Sequence, residues 1–345
     1  MIEAMKKEIA HDSGFISRNE KIASIYFGGG TPSLLSPIEL NGLLEVIHRH
    51  YQIADKAEIT LEANPDDISE TLVSSWRSFG INRISLGVQS FHEEELRWMN
   101  RSHDALQSMR SIDLLQEGGI YNISADLIFG SPLSDVSKLK KNVELLVHKK
   151  IQHLSCYALT VEEKTALHHQ IQTKTSPAPD NELQAKHFLI LHELLKEAGY
   201  EHYEISNYAL PGYRSIHNSN YWKRIPYHGF GPSAHGFDGK KTRRWNPSNN
   251  ALYMSQWNSN AMIYEVEHLT EEQEMNEIIM TSLRTVEGID LFAFEEKFGN
   301  EQTTRLLWNS KNFMFEGKVH HEDKRLRLTV NGMLYADGIA ASLFI

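Results

Sequence analysis

Three consecutive glycines, Gly28-Gly29-Gly30, follow the apolar run Ile22–Phe27 and precede Thr31-Pro32-Ser33. Glycine leaves its peptide groups uncovered, so a ligand can approach the backbone there. Further along, polar residues stand where apolar runs end: Glu62 in Leu-Glu-Ala-Asn-Pro, Gln89 in Gly-Val-Gln-Ser-Phe, and Asp126 within Ile-Ser-Ala-Asp-Leu-Ile-Phe-Gly. Asp126 stands out most, because a carboxylate inside an apolar strand is costly unless it is paired or hydrogen-bonded. Together with the guanidinium of Arg101, these groups suit a zwitterionic ligand that bears hydroxyls. Carboxylates take an ammonium or ribose hydroxyls, Arg grips a carboxylate through two parallel bonds, and bare peptides bond the remainder. Taken singly, each residue also has a plain structural reading. Arg101 can be a helix-end charge, Glu62 a capping group near Pro65, Gln89 a solvated strand end, and the glycines a tight turn.

Positioning such a set falls to an alternation of strands and helices. Apolar runs predict strands at Ile22–Phe27, Glu58–Glu62, Arg83–Gln89, Ile123–Phe129, His153–Leu159 and Glu201–Ser206. Helical patterns lie between them at Ile38–His50, Ser69–Phe79, Glu93–Arg97, Asp104–Gly118, Ser137–Lys149 and Asn181–Gly199. This alternation predicts an α/β fold of parallel strands joined by crossover helices, in an open doubly wound sheet or a closed or partial barrel. Both place ligands at the C-terminal ends of the strands, where the polar residues above cluster. Ser33 or Ser36 can cap the helix after the glycines, with Pro37 in its first turn and Glu39 three residues beyond Ser36. Helices are expected to stop at Gly80, Gly118-Gly119 and Gly199.

Residues 1–20 read as a helix and a polar connection, an unusual start for a parallel α/β domain. Residues 1–206 form the predicted barrel. Residues 207–264, rich in Asn, Tyr, Gly, Pro, His and Trp, show little periodicity and read as an irregular functional segment. Residues 265–345 read as a small, mainly helical module with a basic hairpin strand at Lys324–Val330, similar to a winged helix.

The balance of 35 Lys+Arg against 45 Asp+Glu gives a net charge of −10 over 345 residues, which argues against a nucleic-acid surface. No apolar run approaches a membrane span, and the start is not a signal peptide, so a cytoplasmic protein without membrane insertion is expected. The lone cysteine, Cys156, excludes an internal disulfide and a cysteine-built zinc or iron–sulfur site within this chain.

Five ordered motifs carry a family likeness: Tyr-Phe-Gly-Gly-Gly-Thr-Pro-Ser, Leu-Glu-Ala-Asn-Pro, Asn-Arg-Ile-Ser-Leu-Gly-Val-Gln-Ser-Phe, Asp-Leu-Ile-Phe-Gly and His217-Asn-Ser-Asn-Tyr221-Trp222. From about residue 20 onward the chain resembles radical S-adenosylmethionine proteins of the oxygen-independent coproporphyrinogen III oxidase group, and within them the HemW branch of haem chaperones. The resemblance implies a partial (β/α) barrel that holds S-adenosylmethionine against a 4Fe–4S cluster, followed by a C-terminal helical domain. Carried over by position, Gly29, Gly30 and Thr31 would contact the methionine part. Glu62, Gln89, Arg101 and Asp126 would contact S-adenosylmethionine too, and Thr160 and Phe230 would line its adenosine side. His217 becomes the candidate axial ligand of haem, and the implied partners are haem and haem-acceptor proteins. The alternatives are oxidative decarboxylation of coproporphyrinogen III or a degenerate scaffold that binds nothing.

The chain departs from that pattern in lacking the first barrel strand and the C-x-x-x-C-x-x-C loop that carries the cluster. Truncation is the simpler expectation and a degenerate member the other. A barrel without that strand would leave an edge at Ile22–Phe27 for dimerisation, or for cover by the N-terminal helix.

Overall fold

A computed structural model of the chain describes residues 1–12, 14–17, 20–259 and 264–345. The expectations for residues 13, 18, 19 and 260–263 lie outside the described residues.

Seven strands form one sheet: β1 Lys21–Phe27, β2 Gln52–Ala63, β3 Arg83–Gln89, β4 Asn122–Phe129, β5 His153–Ala158, β6 Glu201–Glu204 and β7 Asn207–Ala209. Their order is β1-β2-β3-β4-β5-β7-β6. Pairing from β2 through β5 is parallel, as the βα alternation requires. The strand expected at Glu201–Ser206 is β6, which runs in the same direction as β5; it does not pair with β5, because β7 inserts between the two and pairs antiparallel to both. Glu204 explains the reversal locally, because its carboxylate accepts from Ser206 N at 3.1 Å and from Asn207 Nδ2 at 2.5 Å.

The helices of this half are α1 Ile2–His11, α2 Pro37–His50, α3 Glu70–Ser78, α4 Glu93–Trp98, α5 Ala105–Glu117, α6 Val136–His148, α7 Ala166–Gln172 and α8 Asn181–Glu197. Ser36, rather than Ser33, caps α2: its hydroxyl accepts from Glu39 N, and Glu39 accepts from Ser36 N in return. Ser33 instead donates to Asp67 Oδ2 at 2.6 Å. Gly80, Gly119 and Gly199 follow α3, α5 and α8 with positive φ, the left-handed stop that lacks a Cβ penalty only for glycine.

The chain divides into two compact units. One gathers Phe27–Leu34 and Thr60–Arg214; the other gathers Met1–Tyr26, Leu35–Ile59 and Ser215–Ile345. In the unit built on Thr60–Arg214, β3 is buried along nearly its whole length, the pattern of a strand covered on both faces. Ile84, Leu86, Val88, Ile123, Leu127 and Leu154 form its sheet core, closed by Val73, Trp76, Ile112, Leu115, Leu139 and Leu191 of the helices.

In the other unit, the segment read as irregular is structured. It holds α9 Ile216–Trp222, β8 Tyr227–His228, β9 His235–Phe237, β10 Thr242–Trp245 and α10 Asn250–Ser259; β11 Glu265–His268, just beyond it, completes a sheet of four strands in antiparallel order β11-β10-β9-β8. Strands of two to four residues leave too few alternations for a period-2 signal to emerge. The first helix is anchored here. Ala4 packs with Tyr253 and Trp257, and buried Glu8 accepts from Gly231 N at 2.9 Å, from Asn246 Nδ2 at 2.6 Å and from the Tyr253 hydroxyl. Asp12 at its end binds Arg244 Nη2 at 2.8 Å and the Tyr264 hydroxyl.

The C-terminal part follows expectation: α11 Glu271–Leu283, β12 Ile289–Asp290, α12 Leu291–Phe298, α13 Asn300–Phe315, β13 Val319–Glu322, β14 Arg325–Leu328, α14 Val330–Met333 and α15 Ala336–Leu343. Its three strands, in the order β12-β14-β13, are the small antiparallel wing beside the helices.

Candidate ligand site at the strand ends

β1 runs out into the glycine turn, where Gly29 and Gly30 have φ of 78° and 65°. No atom would meet a Cβ at either position, so these glycines serve backbone conformation and exposure, not close packing. The Gly29 N–H donates to Glu62 Oε2 at 3.0 Å, which ties the turn to the end of β2. Thr31 completes the turn, its carbonyl accepting from Leu34 N at 3.1 Å.

Gln89 and Arg101 come together over Gly87. A Cβ on Gly87 would lie 3.1 Å from Gln89 Nε2, 3.2 Å from Arg101 Nη2 and 3.6 Å from Asn64 Oδ1. Arg101 Nη2 donates to Asn64 Oδ1 at 3.0 Å and reaches the Gly87 carbonyl at 3.5 Å. Gln89 has a φ of 66°, a conformation uncommon for a residue with a side chain, and the register of β3 on β4 shifts between Leu86 and Gln89. The sequence reading missed Asn64 and Gly87. A glycine in mid-strand was the available signal, since it marks a bulge or a close approach.

Asp126 lies opposite Ser155 in the β4–β5 register. Burial pushes its carboxyl up to about 7; the Arg83 guanidinium opposes that rise, the Glu62 charge adds to it, and hydrogen bonds from Ser155 and Ser85 oppose it. The raised carboxyl and its dependence on Glu62 place the two acids in one electrostatic neighbourhood. Arg83, at 1% exposure, is a third residue the sequence reading passed over. Such a carboxyl, poised near neutrality, can accept from ligand hydroxyls and change its charge state with pH.

Glu62, Gly29, Gln89, Arg101 and Asp126 thus share one compact unit with Gly30, Thr31 and Thr160, and Thr160 sits exposed beyond β5. Phe230 and His217 belong to the other unit. Phe230 packs its ring on His228 at 4.0 Å and edge-on to Tyr51 at 6.1 Å. Burial, with help from Arg244, draws His228 down to about 3, so its imidazole is neutral. His217 stands on α9, whose N-terminus is held by Glu58: the carboxylate accepts from Ile216 N and His217 N, each at 3.0 Å. The His217 ring stacks on Tyr26, and its Nδ1 lies 3.0 Å from Ser24 Oγ.

A 4Fe–4S cluster does not fit the residues of this chain. Its one thiol, Cys156, is buried in β5 and pushed well above its ordinary range by burial and the Asp126 charge. Among the described residues no group of three or more His, Cys, Asp or Glu side chains converges as a metal site. Nor is any described helix long and apolar enough to cross a membrane.

Comparison with known proteins agrees with this architecture. The Radical SAM superfamily model matches residues 6–146, and the HemN C-terminal domain model matches residues 269–335. "Heme chaperone HemW" of Lactococcus lactis is 32% identical over 320 residues, covering 90% of this chain and 84% of the relative. The Bacillus subtilis protein of the same name is 32% identical over 320 residues, covering 92% and 84%. "Radical S-adenosyl methionine domain-containing protein 1, mitochondrial" of Bos taurus is 32% identical over 345 residues, covering 95% and 77%. The Escherichia coli coproporphyrinogen III oxidase HemN, a radical SAM enzyme, superposes with a TM-score of 0.83 at 20% identity over 99% of this chain and 82% of its own, which establishes the shared partial-barrel fold. With both domain models matched in order and such identity along most of both chains, this chain belongs to the HemW family of the radical SAM superfamily.

Proposed function

We propose that this chain is a haem chaperone of the HemW kind, which binds S-adenosylmethionine at the strand ends and haem through His217. The observation that carries the reading is the identity to bacterial heme chaperones along nearly the whole chain. The residues of the strand-end site fit the cofactor. Exposed peptides of Gly29, Gly30 and Thr31 suit the methionine moiety, Arg101 suits its carboxylate, and Glu62 and Gln89 offer acceptors to the ammonium and hydroxyls. Asp126 suits a ribose diol, with Thr160 toward the adenosine. When bound in this family, S-adenosylmethionine supplies radical chemistry through a 4Fe–4S cluster. The cluster ligands are not among these residues, and no step is drawn through it.

What the chain's own residues do is bind and orient. Glu62 fixes the glycine turn through the Gly29 N–H, so the turn is preformed. Asn64 holds the Arg101 guanidinium in place. At His217, the tautomer in which Nδ1–H donates to Ser24 leaves the lone pair on Nε2, the form that ligates iron. Haem held in this way would pass to acceptor proteins in the cytoplasm.

Haem titration followed by the Soret band, and calorimetry with S-adenosylmethionine, test the two halves separately. Saturable haem binding lost in His217→Ala, and cofactor binding weakened in Arg101→Ala, are expected. Haem binding that ignores His217 overturns the ligand assignment, and cofactor binding indifferent to Arg101→Ala and Asp126→Ala overturns the strand-end site.

A further inference from the structure

Immediately after Gln89 the chain enters a knot of buried polar groups that nothing in the proposed binding of ligands uses. Ser90, Glu95 and Asn142 are each at most 1% exposed. Ser90 Oγ donates to Glu95 Oε2 at 2.5 Å and accepts from His92 N at 3.1 Å and from Asn142 Nδ2 at 3.3 Å, so its hydrogen-bonding capacity is filled. Asn142 Oδ1 accepts from Phe91 N at 2.9 Å, and the Ser90 N–H closes a tight turn on Val88 O at 2.8 Å. The backbone on the C-terminal side of Gln89 is therefore pinned at Ser90, Phe91 and His92, partly to α6.

The knot is costly as a core element. Glu95 Oε1 is buried without a hydrogen-bond partner, and so is Nε2 of His187, a ring at 0% exposure. His187 Nδ1 accepts from Gly130 N at 3.3 Å, so the neutral ring carries its proton on the unpartnered Nε2. Burial draws the His187 pKa down while the Glu95 charge pushes it up, which places the two groups within electrostatic reach. A buried carboxyl satisfied on one oxygen only is a poor stabiliser compared with an apolar side chain of the same volume. Its neighbour in the chain is likewise costly: Gln89 at φ 66° stores backbone strain that persists only where surrounding structure over-determines it.

These two costs meet at one peptide. We propose that Ser90, Glu95 and Asn142 are positioning residues: the knot they form holds Gln89 in its left-handed backbone conformation and so keeps the Gln89 amide beside Arg101 over Gly87. The assignment of a ligand to that amide rests on the proposed strand-end site; the conformational role does not. Remove the Glu95–Ser90 bond, and residue 89 returns to the extended conformation of the strand, which turns its side chain toward the opposite face of β3.

Crystal structures of the Glu95→Ala and Glu95→Gln variants, with S-adenosylmethionine affinity measured by calorimetry, test this. In Glu95→Ala, Gln89 is expected at negative φ with its amide gone from Gly87, and affinity is expected to fall by about tenfold. Glu95→Gln still accepts the Ser90 proton, so it restores the left-handed conformation and the affinity. Should Glu95→Ala not fold, Ser90→Ala removes one hydroxyl and carries the same expectation. Gln89 keeping its positive φ and its place over Gly87 without the knot overturns the inference. If the wild-type chain binds no S-adenosylmethionine, the ligand reading falls, and the φ of residue 89 still decides this one.

Discussion

The imidazole of His217 lies nearly flat on the phenol ring of Tyr26, with centroids 4.7 Å apart and planes 22° apart. Stacking fixes the plane of the ring, and Ser24 Oγ at Nδ1 fixes its rotation within that plane. A ligating histidine needs both, because the outward nitrogen must point at iron with its lone pair. Ser24→Ala is therefore expected to weaken haem binding by about tenfold without loss of fold, and His217→Ala to abolish the Soret change. Titration of both variants beside the wild type checks this.

Asp126 gives the strand-end site a pH dependence. Its carboxyl titrates near 7 when folded, against an ordinary 3.8. Between those values the folded chain holds a proton that the unfolded chain has released, so stability falls as pH rises through that window and is level above it. Asp126→Asn should match the wild type below the window. Above pH 7 it should be the more stable of the two, by on the order of 2 kcal/mol. Chemical denaturation at acid and neutral pH measures this. Binding of hydroxyl-bearing ligands moves the other way, strengthening as pH rises through about 7, since the ionised carboxylate accepts two hydrogen bonds.

Gly87→Ala separates the site from the fold. A strand readily accepts alanine, but the new methyl would press on the ends of Gln89 and Arg101 at 3.1 and 3.2 Å. Those ends are flexible and shift by a few tenths of an ångström. The melting temperature should stay within a few degrees of wild type, while S-adenosylmethionine affinity drops by about three- to tenfold.

Glu8→Ala tests the anchor of the first helix. It would leave Gly231 N, Asn246 Nδ2 and the Tyr253 hydroxyl without their buried acceptor. A loss of about 3 kcal/mol in denaturation is expected, close to the cost of breaking a buried polar network. Burial raises the Glu8 pKa despite those three donors. The folded form therefore gains relative stability as pH falls through the carboxylate range, and Glu8→Ala should remove that gain.

Much of this was readable from the chain. Arg83–Gln89 was bounded to the residue, because a short β-type run of small and apolar residues stands there between two polar side chains. The capping box at Ser36 was one of two alternatives; its reciprocal bonds with Glu39 select it, while Ser33 is drawn off to Asp67, a contact 34 residues distant. β2 begins at Gln52, six residues before the predicted start, since its first half is exposed and polar and carries no strand signal. Residues 207–264 hid three strands of a four-stranded sheet for the same reason that Arg83 and Asn64 went unnoticed: their structure depends on partners elsewhere in the chain, such as Glu8 for Gly231 and Asn246. A local pattern records periodicity and caps. It does not record which buried charge a distant segment will answer.

The two compact units are threaded through one another along the polypeptide, one needing three separate stretches and the other two. During synthesis, the unit ending at Arg214 has all its parts once that residue leaves the ribosome, and it can fold then. The other holds Met1–Tyr26 from the outset but cannot enclose Glu8 until Gly231, Asn246 and Tyr253 are made. An amphipathic first helix must wait through more than two hundred residues of translation for its acceptor pocket, so nascent chains stalled before that point should be the ones captured by holdase chaperones.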